Sequence, residues 1–191
     1  MSLALIVLAR QPSPGRCKRR LAATIGDQSA ARIQQRLLAH TVAVARQWQH
    51  TQAGAVVSLC LGHHQGSGGL GLRMQRQLGR AVRAGARAAV LVGSDLPGLS
   101  VQQIQQAFSA LHHAPLVLGP ACDGGYWLVG LTAAGQRQQR GRLFSGIGWG
   151  GSEVLQQTLQ QAAALQWSPQ LLRWQSDLDR IDDMAPWHGA A

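Results

Sequence analysis

The stretch VLVGSDLPGLS, residues 90–100, decides the fold class of this chain. Its short apolar run predicts a buried strand, which passes through Gly-Ser-Asp into a turn that contains proline. Ser100 and Gln103 then have the spacing of a capping box, which predicts a helix to about Leu111. A buried strand that leads at once into a helix is the repeating unit of α/β sheets with parallel strands.

The rest of the chain repeats this alternation on both sides of that stretch. Further strands are predicted at residues 3–9, 55–61, 115–118, 126–131 and 171–174, and the central one lies within residues 87–93. Further helices are predicted from a cap at Asp27 to Trp48, over residues 70–84 and from about Ser152 to Leu165, whereas residues 132–142 are polar without a clear pattern. We therefore predict one domain, residues 1–191, with helices on both faces of a mostly parallel, mixed sheet and a frayed tail from about residue 185.

Composition excludes several classes of protein. No apolar run reaches the ~18–20 residues that a membrane helix needs, and the apolar N-terminus lacks the basic start of a signal peptide. Three scattered cysteines give no disulfide framework or cysteine zinc site, so we expect a protein of the reducing cytoplasm. The paired histidines, at 63–64 and 112–113, have no partner at zinc spacing.

The net charge of +10 comes from an excess of arginine, because only one of the 18 basic residues, Lys18, is a lysine. That lysine lies in PSPGRCKRRL, residues 12–21, directly after the first predicted strand. Two prolines stiffen this loop, Gly15 lets backbone N–H groups approach a ligand, and Arg10, Arg16, Arg19 and Arg20 add charge for phosphate oxygens. From the residues alone, a cradle for nucleotide phosphates, a solvated loop and a nucleic-acid arm all remain open.

The eight acidic residues are rare enough to be informative, and most follow predicted strands. Asp95 at the carboxyl end of a strand is placed to hold a divalent cation, and Asp177 and Asp179, which alternate in SDLDRIDDM, could complete the site from one side. Each has a structural alternative: a turn cap for Asp95, hairpin chemistry for Asp123 in Asp-Gly-Gly, and a helix start at Asp182 and Asp183.

Two further patterns are weaker. Residues 66–71 match Gly-x-Gly-x-x-Gly, but they follow the second strand and no acid stands where a ribose would need one. Five arginines recur at helical spacing and predict one cationic face, which a solvated surface explains better than a polyanion partner: Arg73, Arg76, Arg80, Arg83 and Arg87.

The order of PSPGRCKRRL, LGLRM, GSDLPGLS, GPACDGGYWLVGL, LFSGIGW and DLDRIDDM resembles the bacterial DUF2064 family over roughly residues 3–184. Its members are described as nucleotide-diphospho-sugar transferase-like proteins of GT-A type fold, some of them arsenosugar-biosynthesis glycosyltransferases. This chain departs from the family pattern at Arg10, which replaces a lysine, and at Arg19, which replaces a threonine. It also lacks the Thr-Pro turn after Asp179 and the threonine of the Trp149 segment.

The resemblance implies a glycosyltransferase that moves a sugar from a nucleotide-diphospho-sugar to a small-molecule acceptor, with Mg²⁺ or Mn²⁺. Nucleotide and phosphates are assigned to Arg10, Pro14, Gly15, Arg16, Lys18, Arg20, Arg73 and Ser94. The metal is assigned to Asp95, Asp179 and Asp177; sugar or acceptor to Gly124, Gly125, Tyr126 and Trp149; and catalysis to Asp123, Lys18 and Arg20. A guanylyltransferase-like nucleotidyl transfer that releases pyrophosphate is the alternative, and a non-catalytic basic binding protein is the second.

Overall fold

The computed structural model describes residues 2–179, 181 and 183, and of His63 the backbone alone. A mixed six-stranded sheet runs through it in the order β2-β1-β3-β5-β4-β6. Every pairing is parallel except those of β5, which is antiparallel to both β3 and β4. The strands are β1 (Ser2–Ala9), β2 (Val56–Leu61), β3 (Ala86–Val92), β4 (Leu116–Pro120), β5 (Tyr126–Thr132) and β6 (Gln170–Leu171). The predicted α/β fold with a mostly parallel, mixed sheet is confirmed.

The described part of the chain contains six α-helices: α1 (Arg19–Ile25), α2 (Asp27–His50), α3 (Leu70–Arg83), α4 (Val101–Ala110), α5 (Ala133–Gln139) and α6 (Val154–Ala164). The capping box predicted at α4 is present, because the Ser100 and Gln103 side chains each bond the other's backbone N–H. No helix among the described residues combines the length and the apolar character needed to cross a bilayer.

Both faces of the sheet are covered. Side chains alternate along β1, so that Leu5 and Val7 join a core with α2 and α4, while Ile6 and Leu8 join a second core with α3 and α6. On the first face, α2 and α4 meet through the rings of Trp48 and Phe108, which stack at 4.7 Å. Strands buried on both faces explain why their sequences are continuously apolar rather than alternating.

Several local predictions were wrong. The basic loop ends earlier than expected, because α1 begins at Arg19, and the polar segment after β5 contains helix α5. Asp27 is the first residue of α2 rather than its cap, a position that Gly26 takes. Arg87 lies in β3, so the predicted cationic face of α3 ends at Arg83. The frayed tail predicted at 185–191, and Asp182 of the predicted helix start, lie outside the described residues.

The carboxyl ends of β1 and β3 lie side by side, which brings the segments after them to one edge of the sheet. The chain after β6 reaches the same edge: the N–H of Gln175 donates to Pro120 O, and the N–H of Leu178 donates to Asp95 O at 2.9 Å. Ligands of open α/β sheets bind in the crevice beyond this edge.

Candidate functional site

Lys18 is the centre of the charged groups at this edge. Its Nζ lies 2.5 Å from Asp95 Oδ1 and 2.9 Å from Asp179 Oδ1, and its side chain is only 2% exposed. Burial lowers the pKa of Lys18, but the two carboxylates outweigh it, and the net pKa is raised. The lysine is therefore a charged ammonium shared by two carboxylates that lie far along the chain from it, Asp179 by 161 residues.

The backbone sets the position of Lys18. It is the N-cap residue of α1 and has left-handed dihedral angles, φ 46° and ψ 46°, which few residues other than glycine adopt. Strain of this kind persists only where surrounding contacts hold it, and it is commonest at functional sites. Here the two ion pairs of the side chain are those contacts.

Asp179 reaches Lys18 because the chain before it is anchored. Leu178 is buried against Leu21 of α1 and Leu37 of α2, in a small core of its own. The Asp179 N–H also donates to Asp183 Oδ2 at 2.8 Å. A loop after β1, a loop after β3 and the chain end thus meet at one ammonium.

A polar cavity of about 300 Å³ opens over this cluster. Four of its lining side chains are cations and three are carboxylates. This set suits a ligand that carries several negative charges together with a bridging cation. Its lining residues are Arg10, Lys18, Arg19, Arg20, Gln34, Asp95, Asp123, Gly150 and Asp179. The guanidinium of Arg20 lies 4.0 Å from Asp179 Oδ2, so the predicted catalytic and phosphate-binding cations meet in this cavity.

A second, more apolar cavity of about 280 Å³ adjoins the first, and the two share Arg10 and Asp95. Leucines, Met74, Tyr126 and Trp127 form most of its wall. Arg73, Gln65 and Asp177 supply the polar groups. This mixture of apolar surface with few polar groups is typical of sites for organic ligands.

Asp177 and Asp179 do not share one side as expected, because Asp177 lines the apolar cavity and Asp179 the polar one. Burial raises the pKa of Asp177 to about 7, and the negative charges of Asp95, Asp123 and Asp179 act in the same direction, while Lys18 opposes them. The carboxylates at this edge therefore carry more negative charge than Lys18 alone offsets.

The glycine-rich segment before α3 binds arginine side chains of the chain itself. Arg73 donates to Gly68 O and to Gln65 Oε1, and Arg76 donates to Gln65 O and Ser67 O. Residues 66–71, whose spacing matches a dinucleotide-binding motif, thus belong to a loop that holds Arg73 at the apolar cavity. Arg76 is likewise not the free surface cation that helical spacing predicted.

Two glutamines at the site were missed by sequence reasoning. The Gln65 side chain is buried and donates to Ala9 O and Cys60 O, which ties the loop to β1 and β2. Gln34 is buried on α2, lines the polar cavity and donates to Ser94 Oγ at 2.9 Å. Ser94, predicted to bind phosphate, lines neither cavity and bonds Gln34 instead. A polar residue on the apolar face of α2 was the one signal in the sequence for Gln34.

The first part of the basic loop lies away from both cavities. Pro14, Gly15 and Arg16 are exposed and line neither of them. Arg16 closes a turn through its N–H to Ser13 O. Of the residues predicted to hold phosphate around this loop, those at its two ends, Arg10, Lys18 and Arg20, line the polar cavity.

The hairpin between β4 and β5 carries Asp123 to the polar cavity. Its Oδ1 accepts the Gly125 N–H at 2.9 Å, so the turn role that the sequence allowed is also present. Gly124 has φ +89°, and a Cβ there would overlap the backbone of Ser152, which locks the hairpin against the chain before α6. Tyr126 meets Trp149 edge-on, at 6.3 Å between ring centroids, beside the apolar cavity.

The carboxylates suit a hard cation in chemistry but do not form a complete metal centre. Among the described residues, no three His, Cys, Asp or Glu side chains are grouped to hold a metal ion. Asp95 and Asp179 are occupied with Lys18. Mg²⁺ is commonly held by one or two carboxylates together with substrate phosphates, so these residues fit a cation that arrives with its ligand.

Comparison with solved structures identifies the class of fold. A protein from Desulfovibrio desulfuricans G20, provisionally assigned as a nucleotide-diphospho-sugar transferase, has 25% identity and a TM-score of 0.82, covering 98% of this chain and 86% of that one. The 4-diphosphocytidyl-2C-methyl-D-erythritol synthase of Anaerococcus prevotii DSM 20548 has 8% identity and a TM-score of 0.58, covering 97% and 95%. Rv0371c of Mycobacterium tuberculosis H37Rv, in complex with manganese, has 14% identity and a TM-score of 0.52, with both chains fully covered. The fold is thus that of nucleotide-diphospho-sugar transferase-like proteins.

The chain itself belongs to the bacterial family DUF2064, described as "Uncharacterized protein conserved in bacteria", whose model matches residues 17–151. The family expected from the sequence motifs is confirmed. No curated protein is significantly similar to the sequence.

Proposed function

We propose that this protein is a cytoplasmic enzyme that transfers a sugar from a nucleotide-diphospho-sugar to a small-molecule acceptor, with a divalent cation. One observation carries the proposal: a buried ammonium and two carboxylates meet in a cavity lined by three more cations, at the ligand-binding edge of the sheet. The three cysteines are free thiols, which is consistent with a reducing compartment.

The two adjoining cavities suit the diphosphate and the nucleoside of such a donor. The polar cavity takes the diphosphate, where Arg10, Lys18 and Arg20 meet its oxygens. The apolar cavity takes the nucleoside, with Arg73 held at its wall by Gln65. Because Arg10 and Asp95 border both cavities, one ligand can extend across them.

Charge builds on the leaving nucleoside diphosphate as the sugar bond breaks. Lys18 and Arg20 line the cavity proposed for this diphosphate, and cations aimed at developing charge lower the barrier. Asp95 and Asp179 would hold Mg²⁺ or Mn²⁺, which supplies further charge neutralisation at the diphosphate when bound, whereas Asp177 lines the apolar cavity. Asp123, which lines the polar cavity, would orient or deprotonate the acceptor hydroxyl. Gly124, Gly125 and Trp149 line neither cavity but lie close in sequence to the lining residues Asp123 and Gly150, and they would shape the acceptor side.

Nucleotidyl transfer is the second candidate, because the fold is shared with the Anaerococcus synthase named above. The same cavities would then hold a nucleoside triphosphate, and pyrophosphate would leave. The product separates the two reactions: a sugar donor that yields nucleoside diphosphate supports glycosyl transfer, and pyrophosphate released from a triphosphate supports the alternative.

Calorimetry with a panel of nucleoside diphosphates and sugar nucleotides, with and without Mn²⁺, tests the proposal. Asp95→Asn is expected to abolish metal-dependent nucleotide binding, and Lys18→Ala to weaken it about tenfold or more, since each removes a charged contact. Glu153→Gln removes an exposed carboxylate outside both cavities and should leave binding unchanged. Metal-dependent binding that survives Asp95→Asn contradicts the assignment of Asp95.

The same experiment addresses a non-catalytic polyanion binder. Arg80→Gln and Arg83→Gln remove exposed cations of α3 that line neither cavity. Unchanged nucleotide binding in both variants supports the proposed site. Binding to nucleic acid that falls steeply with salt, and that these variants weaken, would favour the binder instead.

A further inference from the structure

Lys18 occupies the place between Asp95 and Asp179 that a shared cation would need. Its Nζ is 2.5 Å from one carboxylate oxygen and 2.9 Å from the other, and its side chain is almost fully buried. A Mg²⁺ ion bound by the same two oxygens, at about 2.0–2.1 Å from each, would lie almost on top of the ammonium. The two cations exclude each other by volume and by like charge.

An anion in the cavity would give the ammonium another place to bind. Besides Asp95 and Asp179, the cavity wall carries three cations, Arg10, Arg19 and Arg20, and two other polar side chains, Gln34 and Asp123. Without a ligand, leaving Asp95 and Asp179 would move Lys18 from two opposite charges to a wall on which cations outnumber the one remaining carboxylate. A phosphate group in the cavity reverses that preference, because it offers Lys18 a new acceptor and brings oxygen ligands for the metal.

We propose that Lys18 is the resident counterion of the Asp95–Asp179 pair, so that the site takes a divalent cation only together with a phosphate-bearing ligand. This inference rests on the proposed function and adds a coupling between the two ligands. The metal and the diphosphate bind together, and Lys18 then moves from the carboxylates to the phosphates. The buried ammonium thereby keeps the free site from binding metal without substrate.

The first test uses the fact that Lys18 is the only lysine of the chain. Protein grown with lysine labelled with ¹³C at Cε gives a single lysine side-chain resonance in the unmodified molecule. We expect Mg²⁺ alone to leave this resonance in place, and Mg²⁺ with inorganic pyrophosphate to shift it. A saturable shift with Mg²⁺ alone overturns the proposal.

The second test measures Mn²⁺ binding without any phosphate compound, by the electron paramagnetic resonance signal of the free ion. Lys18→Met, which keeps most of the side-chain length and removes the charge, should bind Mn²⁺ at least about tenfold more tightly than the unaltered protein. Arg20→Gln removes the same charge from the same cavity at 4.0 Å from Asp179 and should change Mn²⁺ affinity less than about threefold. Equal affinities of Lys18→Met and the unaltered protein, or equal gains in both variants, overturn the proposal.

The outcomes separate this inference from the proposed function. Pyrophosphate and metal that bind independently, with an unmoved lysine resonance, overturn the exchange by Lys18 and leave nucleotide binding standing. A folded protein that binds neither pyrophosphate nor any nucleotide, with or without metal, overturns both. Circular dichroism of each variant establishes that it is folded, and the labelled protein needs no substitution.

Discussion

Asp177 is the residue whose environment is most at odds with its charge. Its pKa rises from the ordinary 3.8 to about 7, because burial and three neighbouring carboxylates disfavour ionisation. Between these two values the folded protein keeps a proton that the unfolded chain has released. The contribution of this group to stability is therefore present below about pH 4 and is lost as the pH rises to about 7.

Asp177→Asn should remove the loss of stability that ionisation of this carboxyl causes as the pH rises. We expect the variant to exceed the unaltered protein in unfolding free energy by on the order of 2 kcal/mol at about pH 8, and by almost nothing at about pH 4. Urea unfolding across this range measures the difference, with Glu153→Gln as the exposed-carboxylate control. A difference between Asp177→Asn and the unaltered protein that does not change with pH would show that folding leaves the pKa of Asp177 unchanged.

At the scale of elements, α3 packs tightly against the segments around Trp149 and Phe144 at Gly71. A Cβ at Gly71 would lie 2.6 Å from the Trp149 ring and 2.8 Å from Phe144 O, and the second of these is backbone that cannot move alone. Gly79 of the same helix faces only the ends of Arg83 and Gln136, at 3.2 Å and 3.3 Å. Substitution of Gly79 by alanine is therefore a control for the same substitution at Gly71.

Gly71→Ala should cost about 1–3 kcal/mol through overpacking, whereas Gly79→Ala should be neutral or stabilise by up to about 1 kcal/mol, because alanine favours the helix. Thermal unfolding of both variants tests this. Equal melting temperatures would mean that the Trp149 segment moves freely, which would weaken its assignment to the acceptor side.

How far the sequence predicts such elements depends on how local their cause is. The strands and the capping box of α4 were predicted because apolar runs and the Ser100–Gln103 pair act within a few residues. Helices α1 and α5 were missed because their sequences are polar and short, and they are stabilised by packing, as Leu21 of α1 packs with Leu37 and Leu178. At the site, charges placed after strands predicted Lys18, Asp95 and Asp179, whereas Gln34 and Gln65 carry no such signal.

At the scale of the whole molecule, the site depends on contacts between segments far apart in the sequence, such as those of Leu178 with Leu21 and Leu37. Leu178, which is 5% exposed, anchors the segment that carries Asp177 and Asp179. Leu178→Ala should cost about 2–4 kcal/mol and should also weaken nucleotide binding, because it loosens both carboxylates.

Leu165→Ala is the control, since Leu165 is 8% exposed at the end of α6 and lines neither cavity. It should lower the melting temperature to a similar degree and leave nucleotide affinity, measured well below that temperature, unchanged. Equal affinities of the two variants would show that the chain end does not position the site.

The burial of Lys18 has a further consequence for a lysine-specific protease. Such an enzyme can cut this chain in one place only, between residues 18 and 19, to give fragments 1–18 and 19–191. The bond is at the start of α1, and the side chain that the protease must hold is almost fully buried, so cleavage has to wait until this part of the molecule opens. The rate at which the two fragments form would therefore report local opening of the loop, and ligands that close the loop would slow it.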